Sequence, residues 1–455
     1  MEISIILTNG TPKYIQIYDQ IKKAIIAKKL VSQSKLPSKR NLAADLGVSV
    51  HTVKEAYEQL DAEGFIYSKE RSGYFVSPFE FEWQQSQNTI LPSPSIESIK
   101  SKVDIDFHNG HIDTTTFPYS SWRKLYNKQF QPQNLMNNTW QGEPILRQEI
   151  AYYVQRSRGV HCNPSQVFIY GGTQHQLQAL CNFFGPSIQA GIEEPGFKRA
   201  RTIFNQHCLH THHISVDEFG VTVPTEKINL LYTTPAHQFP LGMVMSVERR
   251  AALLKWAAAE KTFIIEDDYD SEYRFKGLPI PSLAKMDQLQ RVIYSGTFSK
   301  TLVPSIRISY MILPRALVDS YSEFYNEQKT VVSKIDQLVL ADFIAQGQFD
   351  KHLAKMRTLY RKKQQALISA INMHLSKEFQ IIGEKSGLHI VLKLPNSLSE
   401  KEAIERAFSV GVKVYPCSSS YQQSSNQQLV IIGYGGLSLE QIEEGIMRLK
   451  KVWCK

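Results

Sequence analysis

At 455 residues the chain is too long for one compact core, and two domains of unequal size are the expected organisation. Apolar side chains at 42% and charged ones at 21% give the balance of an ordinary folded protein, while 52 Lys and Arg against 43 Asp and Glu leave a formal charge of +9 that favours polyanionic partners. Residues 1–79 hold 11 Lys and Arg against 8 Asp and Glu, so the surplus is not confined to the N-terminus. The five cysteines (Cys162, Cys181, Cys208, Cys417, Cys454) are scattered, odd in number and form no Cys-x-x-Cys pair, which argues against a disulfide framework and a structural zinc site. The run "ISIIL" is too short for a signal-peptide core, and no segment approaches the roughly 18 apolar residues of a membrane span. A soluble, cytoplasmic protein with no membrane partner is expected.

Residues 14–28 place Tyr14, Ile17, Tyr18, Ile21, Ala24 and Ile25 on one helix face. In "LPSKRNLAADLG", Pro37 and Ser38 open a second helix and Gly47 closes it, with Leu42, Ala43 and Leu46 inward. A third helix follows in "VSVHTVKEAYEQLDAEG": Ser49 is its N-cap, Val53, Ala56, Tyr57 and Leu60 form the buried stripe, and Gly64 stops it. "FIYSKERSGYFV" reads as two short strands around a turn carrying Lys69, Arg71 and Gly73. Two helices joined by a tight glycine turn, the second exposing Ser49, His51, Thr52 and Lys54, meet the requirements of a helix-turn-helix with a basic wing. A three-helix packing module with a solvated face fits the same pattern.

The Ser-, Gln- and Pro-rich stretch 79–103 lacks a sustained period and reads as a linker between a 1–78 domain and a 104–455 domain. Beyond it, short apolar strands ("VFIYGG", "INLLYTT", "TFIIEDD", "RVIYSG") alternate with amphipathic helices ("TQHQLQALCNFF", "SVERRAALLKWAAAE"). That alternation predicts an α/β fold with a mainly parallel sheet covered on both faces.

"YSGTFSKTLVPSIR" (294–307) sets Lys300 just past such a strand, flanked by Thr297, Ser299 and Arg307. A lysine that forms a Schiff base with a phosphate-bearing aldehyde cofactor needs three companions. Hydroxyls, a cation and a helix N-terminus suit the phosphate; beside Thr297, Ser299 and Arg307, the stretch Gly171-Gly172-Thr173-Gln174 lies where a strand meets a helix. A carboxylate suits a protonated ring nitrogen, and "IIEDDYD" offers Asp267, with Tyr269 for the ring hydroxyl. An aromatic suits the ring face, and Phe197 in "EEPGFKRA" is available.

"LPSKRNLAADLGVSVHTVKEAYEQLDAEGFIYSKERSGYFV" (36–76) resembles the winged helix-turn-helix of the GntR family of bacterial regulators, and the resemblance covers about residues 12–78. The resemblance implies operator DNA as partner, contacted by Ser38, Lys39, Arg40, Ser49, His51, Thr52, Lys54 and the wing residues Lys69, Arg71 and Gly73. Val50 stands where a basic residue is common in that family. "DIDFHNGHIDTTTFPYSSW", "EEPGF", "HQFPLGMVMSVERR", "EDDYDSEYRF" and "GTFSKTLVPSIR" resemble the fold-type I aminotransferase-like domain of the MocR/GabR subfamily. That likeness implies pyridoxal 5'-phosphate (PLP) on Lys300 as a Schiff base, Asp267 at the ring nitrogen, and Tyr269 and His237 near the ring hydroxyl. It further implies Gly172, Thr173, Gln174, Thr297, Ser299 and Arg307 around the phosphate, Phe197 on the ring, Arg199 for an effector carboxylate, and a homodimer.

Three positions depart from the aminotransferase pattern: Phe239 replaces the asparagine before Pro-Thr-Gly, Asn137 a tyrosine, and Ile431 the arginine that grips a substrate α-carboxylate. A hydrophobic side chain cannot supply a bidentate clamp. The expected function is therefore transcription regulation, with PLP, a small amine or an amino acid as the effector and no residue assigned a catalytic role. A working aminotransferase that keeps a DNA-binding domain and a cofactor-free dimerisation scaffold are the rival readings. The histidines of "HCLHTHHISV" (His207, His210, His212, His213) are expected on a surface strand and turn rather than around a metal. The basic clusters 198–201 and 361–363 are read as solvated faces or as an extension of a DNA path.

Overall fold

Ser38 and Ser49 each place a hydroxyl at the start of a helix, and the N-terminal fold follows from those two caps and one glycine. A computed structural model describes residues 5–78, 103–137, 139–275, 280–422 and 428–454, and divides the chain into two units, 1–99 and 100–455. The linker expected at 79–103 lies outside the described residues, save its last. In the first unit α1 spans Lys13–Ile26, α2 Lys39–Leu46 and α3 Val50–Ala62, followed by the antiparallel pair β1 (Ile66–Lys69) and β2 (Gly73–Val76). Ser38 Oγ accepts from Asn41 N (3.1 Å) and Ser49 Oγ from Thr52 N (3.1 Å). Gly47, at φ 61°, makes the left-handed turn between α2 and α3 that a side chain resists.

Ile17, Ile21 and Ile25 of α1 pack with Leu42, Val53, Ala56, Tyr57 and Leu60, and the Tyr57 hydroxyl donates to Pro37 O (2.9 Å), fixing α3 to the entry of α2. Tyr14, expected on the buried face of α1, is exposed in the first turn, ahead of that stripe, and Leu46 is half-buried. Residues 34–36 join the wing through Leu36 N to Tyr74 O (2.9 Å) and Val76 N to Ser34 O (3.0 Å).

In the second unit, Pro144–Arg158 forms α4, Thr173–Phe184 α5 and Lys198–His207 α6. The central sheet has eight strands: β3 Val167–Tyr170, β4 Gln189–Glu194, β5 His210–Asp217, β6 Gly220–Val221, β7 Leu230–Thr233, β8 Phe263–Asp268, β9 Val292–Thr297 and β10 Ser309–Ile312. Their order is β3-β10-β9-β8-β7-β4-β5-β6. Neighbours from β9 through β5 run parallel, whereas β10 opposes both β3 and β9, and β6 opposes β5. Every residue of β3, β7 and β10 is buried, as in strands covered on both faces.

A second, wholly antiparallel sheet was not legible in the sequence. It orders Gln380–Ile382, His389–Lys393, Leu429–Gly433 and Tyr415–Pro416, and its apolar residues pack with the helices Gln348–His374, Glu400–Ser409 and Leu439–Trp453. No described helix is long and apolar enough to cross a membrane.

Leu60 is fully buried where α1, α3 and the wing meet. Leu60→Ala is expected to lower the stability of the N-terminal unit by about 2–5 kcal/mol. Urea unfolding monitored on that unit checks it, and a loss below about 1 kcal/mol would contradict this packing.

Candidate functional site

Strands β7, β8 and β9 run parallel in register, with Tyr232 opposite Ile265 and Ser295 opposite Asp267, so their carboxyl ends open at one edge. Ligands of open α/β sheets bind at such an edge. Asp267, buried near the end of β8, accepts from the Tyr232 hydroxyl (2.5 Å) through Oδ2, while Oδ1 has no hydrogen-bond partner among the described residues. Burial first, then Asp268, Asp270 and Glu193, push its pKa up to about 7 against the lowering hydrogen bond from Tyr232. A buried carboxylate with one bare oxygen is matched by a cationic N–H donor.

Lys300 follows β9, and its Nζ donates to Asn109 O (2.7 Å). Burial pulls its pKa down to about 8, and Asp270 opposes that fall. About a tenth of the amine is therefore neutral, and nucleophilic, at pH 7, far more than for an ordinary lysine. Tyr269 Oη lies 3.0 Å from both His237 O and His237 Nδ1, and His237 Nδ1 lies 3.0 Å from both oxygens of Asp270. With Nδ1–H given to Asp270, the tyrosine hydroxyl donates to the carbonyl. The loop carrying His237 and Phe239 is held by buried Glu193, which accepts from Thr233 Oγ1 (2.5 Å), Thr234 N (3.0 Å) and Thr234 Oγ1 (2.6 Å).

The anion side of the site gathers around α5. Gly172, at φ 109°, precedes the helix and supplies no side-chain cap. Arg307 Nη2 donates to Gly171 O (3.0 Å); a Cβ on Gly172 would be strained at that φ and would stand 2.1 Å from the same nitrogen, displacing the guanidinium. Ser299 Oγ is buried without a partner among the described residues, and Thr297 Oγ1 accepts from Ser299 N (3.2 Å). An uncapped helix start, a guanidinium, a free hydroxyl and a threonine together suit a phosphate. Thr173 and Gln174 sit in the first turn of α5.

Phe197 ends the loop after β4 and meets Phe239 edge-on (5.8 Å), and Phe239 in turn meets Tyr269 (6.4 Å) and His389 (5.6 Å). Arg199 is exposed in the first turn of α6. Ile431 is buried in a cluster with Val391, Phe239, Leu241 and Tyr415, so an apolar wall occupies that corner. Asn137 is exposed.

Sequence reasoning missed Asp270, His389 and Gln176. His389 enters from the second sheet, where it donates to Pro240 O (2.9 Å) and lies 5.1 Å from the His237 ring. Burial, then His237, pushes its pKa down to about 3, so it stays neutral. No local motif marks it. Gln176 Oε1 accepts from Ser295 Oγ (2.7 Å), leaving its buried Nε2 without a partner among the described residues. His237, Asp270 and His389 bring ligand-type atoms within 4.8 Å of one another, and hydrogen bonds account for that arrangement.

Two surface expectations need correction. Lys363 is buried, donating to Asp113 Oδ2 (2.6 Å) and Gly435 O (3.0 Å), and cannot belong to a solvated face or a DNA path, whereas Arg361 and Lys362 are exposed. Of the histidines, His207 ends α6 rather than sitting on a strand or turn, while His212 and His213, half-buried on β5, bond Gln189 (2.8 Å) and Glu194 (3.2 Å).

In the N-terminal unit, His51, Lys54, Arg40, Lys69 and Arg71 are exposed. His51 Nδ1 stands 3.7 Å from Glu55 and Lys54 Nζ 3.5 Å from Glu58, while Lys39 lies over the Tyr74 ring (5.2 Å). The hydroxyls of Ser38 and Ser49 serve as helix caps, and Ser49 also bonds Thr52 Oγ1 (2.8 Å). Gly73 (φ 108°) and Arg71 (φ 58°) turn the wing, and Val50 is exposed at the start of α3.

A winged helix-turn-helix beside a fold-type I sheet with a lysine, an acid and a phosphate-type helix start defines a two-part class of protein, a DNA-binding head on an aminotransferase-like domain. Residues 13–76 match the bacterial regulatory proteins of the gntR family, and residues 105–449 match the aminotransferases of class I and II. The chain is 44% identical to YdeL, an uncharacterized HTH-type transcriptional regulator of Bacillus subtilis, over 98% of each chain. It is 32% identical to the probable rhizopine catabolism regulatory protein MocR of Rhizobium meliloti, over 97% of this chain and 94% of that one. The crystal structure of Pyrococcus horikoshii kynurenine aminotransferase superposes with a TM-score of 0.71 at 24% identity, over 78% of this chain and 91% of that one, and so shares the fold. The chain belongs to the MocR/GabR subfamily of GntR-family transcriptional regulators.

The buried amine of Lys300 is half-neutral near pH 8. Its acylation by acetic anhydride, followed by mass spectrometry, is expected to rise toward that pH and level off above it. A rate still climbing through about pH 10.4, the ordinary lysine value, would contradict the site's geometry. Asp270 is the charge that favours the ammonium, so Asp270→Asn is expected to move the midpoint below 8.

Proposed function

We propose that this regulator binds PLP in the second unit through Lys300 and uses the site to sense PLP itself or a small amine or amino acid, adjusting how a dimer of heads holds operator DNA. The observation that carries the reading is the bare Oδ1 of buried Asp267, with the Lys300 amine, its pKa pulled down to about 8 by burial, at the same strand edge. PLP supplies, when bound, an aldehyde carbon open to attack by primary amines and an electron-withdrawing ring. Asp267 Oδ1 would accept from the ring nitrogen and hold its proton there. Tyr269 and His237 would line the ring-hydroxyl side, with Asp270 fixing the His237 tautomer. Phe197 would cover the ring face. Gly172, Thr173, Gln174, Thr297, Ser299 and Arg307 would hold the phosphate, and Arg199, exposed at the start of α6, would meet an effector's carboxylate.

Sensing rather than turnover is supported by the apolar corner around Ile431 and Phe239. An aminotransferase must hold an amino acid and a keto acid in turn, and that corner offers neither a bidentate clamp. A ligand shifts the heads only as far as it prefers one arrangement over the other. Turnover with a panel of amino acids and keto acids distinguishes the enzymatic reading.

Added PLP is expected to give purified protein a visible absorption band that Lys300→Ala lacks. Identical spectra from both proteins would overturn the cofactor reading and favour a cofactor-free scaffold. At the other unit, Lys54→Ala is expected to weaken binding to a duplex selected from a random pool and to lower the salt slope by about 1. An unchanged slope would remove Lys54 from the DNA contact.

A further inference from the structure

Helices α5 and α6 pack together against the central sheet, and both start at the site, α5 behind Gly172 and α6 behind Phe197. Toward their far ends they share a sulfur contact. Cys181 lies in the third turn of α5, Cys208 is the C-cap residue just past His207 at the end of α6, and their Sγ atoms are 3.9 Å apart. Both thiols are free; Cys181 is buried among Leu177, Leu180, Ile203 and Phe204, and Cys208 is half-buried. Neither takes part in the site described above.

We propose that Cys181 and Cys208 are a peroxide-sensitive dithiol whose oxidation closes an intramolecular disulfide and ties α5 to α6. The sulfurs need to approach from 3.9 Å to about 2.0 Å, a closure of about 2 Å. Cys208 is half-buried and Cys181 buried, so an oxidant reaches Cys208 first, and Cys181 stands at its side to resolve the product.

In the first step the Cys208 thiolate attacks one oxygen of hydrogen peroxide. The O–O bond breaks, the departing hydroxide takes a proton to leave as water, and Cys208 becomes a sulfenic acid. In the second, the Cys181 sulfur displaces hydroxide from Cys208, and that hydroxide takes the Cys181 proton to leave as water. Two thiols are oxidised by two electrons in all, and one peroxide is reduced to two waters. None of this depends on PLP, so the fate of the cofactor reading leaves it untouched.

The test uses the full chain, reduced and then exposed to hydrogen peroxide. Thiol titration of the unfolded protein is expected to find five free thiols before treatment and two fewer after it. The tryptic peptides 159–198 and 202–227 should then be joined and lighter by two hydrogens, fragmentation should place the bond on Cys181 rather than Cys162 of the first, and dithiothreitol should separate them. Cys208→Ser is expected to keep its four remaining thiols at the same dose, one fewer than the wild type's five. Cys181→Ser should stop at an oxygenated Cys208 with no cross-link. Five surviving thiols, a bond through Cys162, Cys417 or Cys454 instead, or oxygenated Cys208 without a cross-link in the wild type would each overturn the proposal.

Discussion

Strand β8 buries three acids in a row, and the architecture of the second unit is organised around compensating them. Glu266, Asp267 and Asp268 are each at most 5% exposed. Alternation of side chains along a strand sends Glu266 and Asp268 to one face and Asp267 to the other. Glu266 accepts from the amides of Leu283 (2.7 Å) and Ala284 (2.8 Å), and Asp268 from Arg158 Nε (2.6 Å) and the Tyr294 hydroxyl (2.6 Å). Arg158 is the last residue of α4, so the ion pair also fixes that helix against the sheet. Breaking such a buried pair by removing one partner costs about 3–5 kcal/mol. On the opposite face Asp267 receives only Tyr232 among the described residues, and the site grows around the oxygen left over.

The same logic of satisfied and unsatisfied polar groups separates scaffold from function elsewhere. Glu193 accepts from Thr233 and Thr234 and so anchors the start of the loop that carries His237 and Phe239. Ser299 Oγ, Gln176 Nε2 and His237 Nε2 remain without partners among the described residues. Buried polar atoms in that state are costly unless a ligand or ordered water meets them. They cluster near Lys300, Asp267 and the start of α5. The corner around Ile431 carries no such debt, which is why it reads as a wall rather than a binding group.

In the N-terminal unit the hydroxyls nearest the helix starts are already engaged as caps. Ser38 and Ser49 therefore fix the backbone at the starts of α2 and α3, while Arg40, His51, Lys54, Lys69 and Arg71 are exposed, the side-chain types that would meet phosphates and base edges in the proposed DNA contact. A serine at such a position serves two roles, and the cap is the one visible without DNA.

Local chemistry settled the elements on its own. Ser38 and Gly47 bound α2, Ser49 and Gly64 flank α3, and Thr173–Phe184 begins and ends where its glycines and apolar spacing place it, because caps and periodicity act within one turn of chain. The strand-end acids, Lys300 and the Gly-Gly-Thr-Gln turn were legible for the same reason: each sits at a strand or helix terminus marked by its neighbours. Only the tertiary structure decided which of them face one another. Asp270, Gln176 and His389 became part of the site through pairings between segments far apart in sequence, and Lys363 became a buried cation through Asp113, about 250 residues away. The antiparallel second sheet was hidden likewise, since a short apolar strand carries its own periodicity but not the identity or direction of its partner.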